Sequence, residues 1–125
     1  MGEWDIFMTD EVGDFLDRLY ESDRESHKLV NLAILTLERT GPAEGRPLVD
    51  TIAGSKISNM KELRPGSTRC TEIRILFVFD PWRSAILLVA GDKAGNWTRW
   101  YHDAIPRAEQ LYRDYLIERQ KEMGQ

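Results

Sequence analysis

Four cations fall within fourteen residues of one segment, "KELRPGSTRCTEIRILFVFDP" (61–81): Lys61, Arg64, Arg69 and Arg74. Neither a surface hairpin nor a core strand needs so many, and their types suit an anion. Arginine grips a phosphate through two parallel N–H bonds, and lysine adds a mobile point charge. A second group lies in "GDKAGNWTRWYH" (91–102). There Lys93 and Arg99 supply charge, Trp97 offers a ring for a nucleobase to stack on, and Tyr101 and His102 carry exchangeable protons. Fixed cations around a phosphate stabilise the charge that builds on its non-bridging oxygens during transfer. "GDKAGNW" lacks the Lys-Ser/Thr ending of a phosphate-binding P-loop. His27, His102 and the lone Cys70 have no metal-ligand spacing, so no metal or other cofactor is expected.

The elements that must position these groups belong to one domain spanning residues 1–125. The longest apolar runs, "ILFVF" and "AILLVA", are far short of a membrane span. The acidic start "MGEWDIFMTDE" does not read as a secretory signal, and one cysteine excludes an internal disulfide. A cytoplasmic location is expected. The net charge of −4 argues weakly against a nucleic-acid binder, but the charge is uneven. Residues 1–40 hold ten Asp/Glu against four Lys/Arg, and residues 41–101 six against nine. A polyanion would approach the middle of the chain.

Periodicity predicts an N-terminal strand at "WDIFM" (4–8), then a helix whose stripe is Val12, Phe15, Leu16, Leu19 and Tyr20, capped by Thr9 or Asp10. Ser22 and Glu25 form a capping-box pattern for a second helix that stops at "TGP". The two helices make an antiparallel hairpin. Residues 41–59, with two prolines and three glycines, read as a long irregular connection. A three-stranded meander follows from Met60 to Lys93, with its turn at "DPWR" (80–83). A terminal helix is predicted to begin near Asp103, with Pro106 in its first turn. The order is β-α-α-β-β-β-α, an α+β fold in which a helical hairpin packs on a small antiparallel sheet.

A symmetric hairpin about Pro81 and Trp82 puts Arg74 opposite Val89 and Lys93 opposite Cys70, and a symmetric "PGSTRC" loop puts Lys61 opposite Arg74. Met60, Ile73, Ile75, Phe77, Ile86, Leu88 and Ala90 would then share the apolar face under the helical hairpin. Leu63, Leu76, Leu87 and Val89 would share the other face with Lys61 and Arg74. Like charges opposed in a sheet are destabilising unless an anion or a carboxylate bridges them. The plain alternative is that Glu62 and Glu72 pair with these bases as solvated salt bridges worth little.

"KELRPGSTRCTEIRILFVFDPWRSAILLVAGDKAGNWTRWYHDAIPRAEQLYRDYL", with "WDIFMTDEVGDFLDRL" and "GRPLVDTI" upstream, resembles the phage-derived, HigB-like branch of the RelE/ParE toxin superfamily over about Trp4 to Leu116. The resemblance implies the toxin of a type II toxin–antitoxin pair, silenced by a helix-turn-helix antitoxin. It implies a metal-independent endoribonuclease that cuts messenger RNA, commonly on the ribosome, by attack of a ribose 2′-OH on the adjacent phosphate. The family's strand arginine matches Arg74 in "EIRILF", its preceding-strand lysine Lys61, and its late basic residue Lys93. Its late aromatic or histidine position matches Tyr101 or His102. Lys61, Arg74, Lys93 and Tyr101 would then be catalytic, and Arg64, Arg69, Trp97 and Arg99 would hold RNA. Gyrase-poisoning relatives leave a second possibility: a toxin that acts by binding alone, or a degenerate binding module.

Overall fold

The computed structural model describes residues 3–66, 68 and 71–124, so Arg69 and Cys70 lie outside the described residues. The chain forms β1 (Asp5–Met8), α1 (Asp10–Ser22), α2 (Arg24–Thr40), β2 (Val49–Thr51), β3 (Lys61–Leu63), β4 (Ile73–Phe79), β5 (Ser84–Asp92) and α3 (Trp97–Met123). A short 3-10 turn, Gly41–Ala43, follows α2. The five strands form one sheet in the order β1-β5-β4-β3-β2. The meander β3-β4-β5 is antiparallel as expected, while β1 runs parallel to β5. None of the described helices is long and apolar enough to cross a membrane.

Each helix of the hairpin starts where a side chain satisfies a free backbone donor. The Thr9 hydroxyl accepts from Val12 N at 3.3 Å and donates to Leu88 O at 2.8 Å, which ties α1 to the sheet. Asp23, not Ser22, caps α2, accepting from Ser26 N at 3.1 Å and Ser26 Oγ at 2.6 Å. Gly41 ends α2 at φ 57°, and a Cβ there would lie 2.5 Å from the Trp4 ring. Only glycine suits both the backbone and that approach.

Two further elements depart from expectation. Residues 49–51 pair with β3 as a strand inside the predicted irregular connection. The last helix begins at Trp97, six residues before Asp103, so Pro106 lies within it.

The sheet is covered on both faces, and every residue from Ile73 to Val78 is buried. Val12, Leu16, Val30 and Leu37 of the helical hairpin pack on Leu63, Ile73, Ile75, Phe77, Ala85 and Leu87. Ala104, Ala108 and Tyr112 of α3 pack on Met60, Leu76, Val78, Ile86, Leu88 and Val89. Ile73, Ile75, Phe77 and Ala90 therefore face the helical hairpin as expected, whereas Met60, Ile86 and Leu88 lie under α3. Leu63 and Leu87 are displaced the other way.

The expected registers are corrected accordingly. Arg74 pairs with Gly91 rather than Val89, because the turn closes Asp80 on Ser84 instead of Arg83 and a bulge between Leu76 and Phe77 adds a further residue to β5. Lys61 pairs with Phe77 rather than Arg74, a slip of three positions that turns Lys61 to the opposite face. The expected pairing of Lys93 with Cys70 falls outside the described residues.

Candidate functional site

The slip in β3 brings Glu62, in place of Lys61, onto the face that carries Arg74. Glu62 pairs with Leu76, and Arg74 stands two residues along β4 on the same side. Both are buried, Glu62 at 7% exposure and Arg74 at 9%. Glu62 Oε1 lies 3.9 Å from Arg74 Nε and accepts the Tyr101 hydroxyl at 2.5 Å. Glu62 Oε2 lies 3.7 Å from Arg64 Nε, while Arg64 Nη1 donates to Asp50 at 3.3 Å. The carboxylate is thus the hub of two guanidinium groups and a phenol.

The start of α3 positions the phenol. Gly91 lies opposite Arg74, and a Cβ built there would collide with Nε1 of Trp100. The missing side chain lets Trp100 settle on β5, and its ring meets that of Tyr101 edge-on, with centroids 5.0 Å apart. Tyr101 is thereby aimed at Glu62. Gly91→Ala is expected to cost about 1–3 kcal/mol, the usual price of overpacking, read from urea denaturation. An unchanged midpoint would mean that Trp100 packs elsewhere.

Arg74 is incompletely satisfied. Its Nη1 donates to Ile73 O at 2.8 Å, but the buried Nε has no hydrogen-bond acceptor among the described residues. A buried donor left without a partner calls for an explanation. Lys93 completes the rim, with Nζ 3.7 Å from Glu72 Oε1 and 5.4 Å from the ring centroids of both Trp97 and Tyr101. Trp100 and Tyr101 pack against the core beneath α3, whereas Trp97 is 58% exposed.

The geometry therefore collects Arg64, Arg74, Lys93, Trp97 and Tyr101 and leaves others out. Lys61 lies on the opposite face, where its ammonium donates to the Thr51 hydroxyl at 3.5 Å. Arg99 and His102 are exposed and both contact Asp103, at 3.4 Å and 3.3 Å. The residue missed as a site candidate is Glu62, which reads from the sequence only as a counter-ion. Its position between two cationic positions, Lys61 and Arg64, was the available signal. Among the described residues no three His, Cys, Asp or Glu side chains gather as metal ligands would.

Burial, and then the hydrogen bond and charge of Glu62, push the Tyr101 hydroxyl up to about 12 from its usual 10.0, against the opposing pull of Arg74. At neutral pH it is a fixed hydrogen-bond donor. The folded state holds this proton more tightly than the unfolded chain does. The resulting stabilisation is fully present below pH 10.0 and is lost as pH rises towards about 12. Tyr101→Phe lacks it, so the stability gap between wild type and variant should narrow over that range in urea titrations. A gap independent of pH would show that the hydroxyl is not held by Glu62.

Comparison with known proteins bears on this site. Residues 14–113 match the model of the family described as Phage derived protein Gp49-like (DUF891). The chain belongs to this Gp49-like family. Two proteins of Mycobacterium tuberculosis, provisionally named toxin HigB2 and toxin HigB3, are similar to it. The first is 55% identical over 96 residues, 77% of this chain and 48% of HigB2, so the match spans about half of that relative. The second is 53% identical over 94 residues, 75% of this chain and 80% of HigB3. No solved structure matches the chain significantly. The Gp49-like match takes in β2 to β5 and the first half of α3, and so every residue of the Glu62 centre.

Proposed function

We propose that this Gp49-like protein is the toxin of a toxin–antitoxin pair and acts as an endoribonuclease on messenger RNA in the cytoplasm. Its partner would be a cognate helix-turn-helix antitoxin. The observation that carries the reading is the buried Arg74, with a free Nε donor beside a carboxylate and a phenol.

In this reading a phosphate oxygen of RNA accepts from the Arg74 guanidinium, and Lys93 approaches from the rim. Glu62 removes the proton from the ribose 2′-OH, whose oxygen bonds to phosphorus as the bond to the 5′-oxygen breaks. Tyr101 gives its proton to the departing 5′-oxygen and recovers one from Glu62. The products are a 2′,3′-cyclic phosphate and a 5′-hydroxyl. Arg74 and Lys93 hold the charge on the non-bridging oxygens, and Trp97 stacks on a neighbouring base. Arg64 keeps Glu62 in place, and Lys61 takes no part.

A second reading, a toxin-fold protein that binds without cutting, also has an observation behind it. Arg64, Arg74 and Lys93 each lie within 3.9 Å of a carboxylate oxygen. Incubating purified protein with RNA, with and without ribosomes, separates the two. Fragments ending in a 2′,3′-cyclic phosphate support the nuclease. Intact RNA in both conditions supports the binder.

A further inference from the structure

Glu109, like Asp80, is a buried carboxylate that the proposed chemistry does not use, at 6% exposure. Its Oε2 accepts both Ser55 Oγ at 2.8 Å and Lys56 N at 2.6 Å, which pins the loop before β3 onto α3. Both bonds end on Oε2, and neither uses Oε1. Beside it lies a cavity of about 300 Å³, lined by Lys56, Tyr101, His102, Ile105, Pro106 and Glu109. This is the lower end of the range for small-ligand sites.

The cavity shares Tyr101 with the Glu62 centre. Tyr101, Ile105 and Glu109 follow at four-residue spacing along α3, so they form one stripe about 12 Å long. The stripe runs from a phenol at the reacting centre, over an aliphatic wall, to a carboxylate. Burial pushes the Glu109 carboxyl up. The Lys56 amide, the Ser55 hydroxyl and the charges of Lys56 and Arg113 outweigh this and hold it below the usual carboxylate range. An ionised carboxylate only accepts hydrogen bonds.

We infer that this cavity is a nucleobase subsite that reads guanine next to the scissile phosphate of single-stranded RNA. The inference rests on the nuclease reading and adds a specificity to it. Unpaired RNA bases are recognised by stacking and through their Watson–Crick edges. Guanine alone among the four presents two adjacent donors there, N1–H and the N2 amine, which suit Glu109. Lys56 lines the same cavity, so its ammonium would donate to O6, and the Tyr101–Ile105–Pro106 wall covers the ring. Adenine, cytosine and uracil each turn an acceptor towards the carboxylate where guanine has a donor.

Short RNAs that differ at one nucleotide beside the cut test this with wild type, Glu109→Gln and Lys56→Met. In the first variant the amide oxygen still accepts from Ser55 and Lys56, while its NH2 now opposes the base. Wild type should favour guanine on the order of tenfold to a hundredfold, the discrimination of a good base contact. Inosine, which lacks the N2 amine, should lose part of that preference. Glu109→Gln should abolish it without slowing cuts beside other bases, and Lys56→Met should weaken it. Guanosine 5′-monophosphate should shift the Ser55 and Lys56 amide signals of the wild type in NMR spectra, more than the other nucleotides do.

Equal cleavage beside all four bases, or an undiminished guanine preference in both variants, overturns the inference. Cleavage with no such preference and no nucleotide-induced shift leaves the nuclease standing without the subsite. Shifts specific to the guanine nucleotide, with no cleavage of any RNA, leave the subsite standing and sink the nuclease. If Glu109→Gln does not fold, Lys56→Met carries the test, because its backbone bond to Glu109 is untouched.

Discussion

Arg74→Ala is expected to slow RNA cleavage by on the order of a hundredfold or more, the loss that follows removal of one preorganised donor to a developing oxyanion. The fold should survive. Glu62 keeps two of its three contacts, Arg64 at 3.7 Å and the Tyr101 hydroxyl at 2.5 Å, so its charge is not stranded. Arg74→Lys should recover only part of the rate. An ammonium restores the charge but not the planar fork that spans Ile73 O and a phosphate together. Initial rates on RNA, read beside circular-dichroism melts, check both variants. A fully active, fully folded Arg74→Ala protein would place the reacting centre elsewhere.

The strand arginine was legible because it interrupts an otherwise apolar strand, and the helical hairpin was legible from its periodicity. What was not legible was which neighbour Arg74 meets. A loop such as "PGSTRC" need not close symmetrically, and a slip of three positions exchanges Lys61 for Glu62. The pairing of Arg74 with Gly91 was hidden for the same reason: a turn one residue longer than Pro81–Trp82 and a bulge beside Leu76 each move the register by one, and neither leaves a mark in the sequence. The start of α3 was obscured because Pro106 reads as a first-turn residue, while Asn96 makes no side-chain capping bond at the true start. Strand β2 is three residues long and sits among prolines and glycines, too short for an alternation to register. The cationic character of the site was thus readable, while its carboxylate hub depended on register.

That hub carries the other large effect. Glu62→Ala should destabilise the protein by about 3 kcal/mol, because removing one partner of a buried ion pair strands the other. Arg74 would keep its hydrogen bond from Nη1 to Ile73 O but lose its carboxylate, while Tyr101 would lose its acceptor. The asymmetry with Arg74→Ala follows from the contacts: among the described residues Glu62 meets Arg64, Arg74 and Tyr101, whereas the carboxylate beside Arg74 is Glu62 alone. For a chain of this length the loss corresponds to a fall of roughly 10 °C in Tm. Glu62→Ala/Arg74→Met should regain much of it, since replacing both charges by apolar groups removes the stranded ion. Glu62→Gln separates stability from chemistry, because its amide oxygen still accepts from Tyr101 but cannot take a proton from the ribose. It should stay folded and lose on the order of a hundredfold in cleavage, the lower range for a general base. A folded Glu62→Gln protein that cuts RNA at the wild-type rate would reduce Glu62 to a counter-ion of Arg74, and the proton would then have to leave by another group.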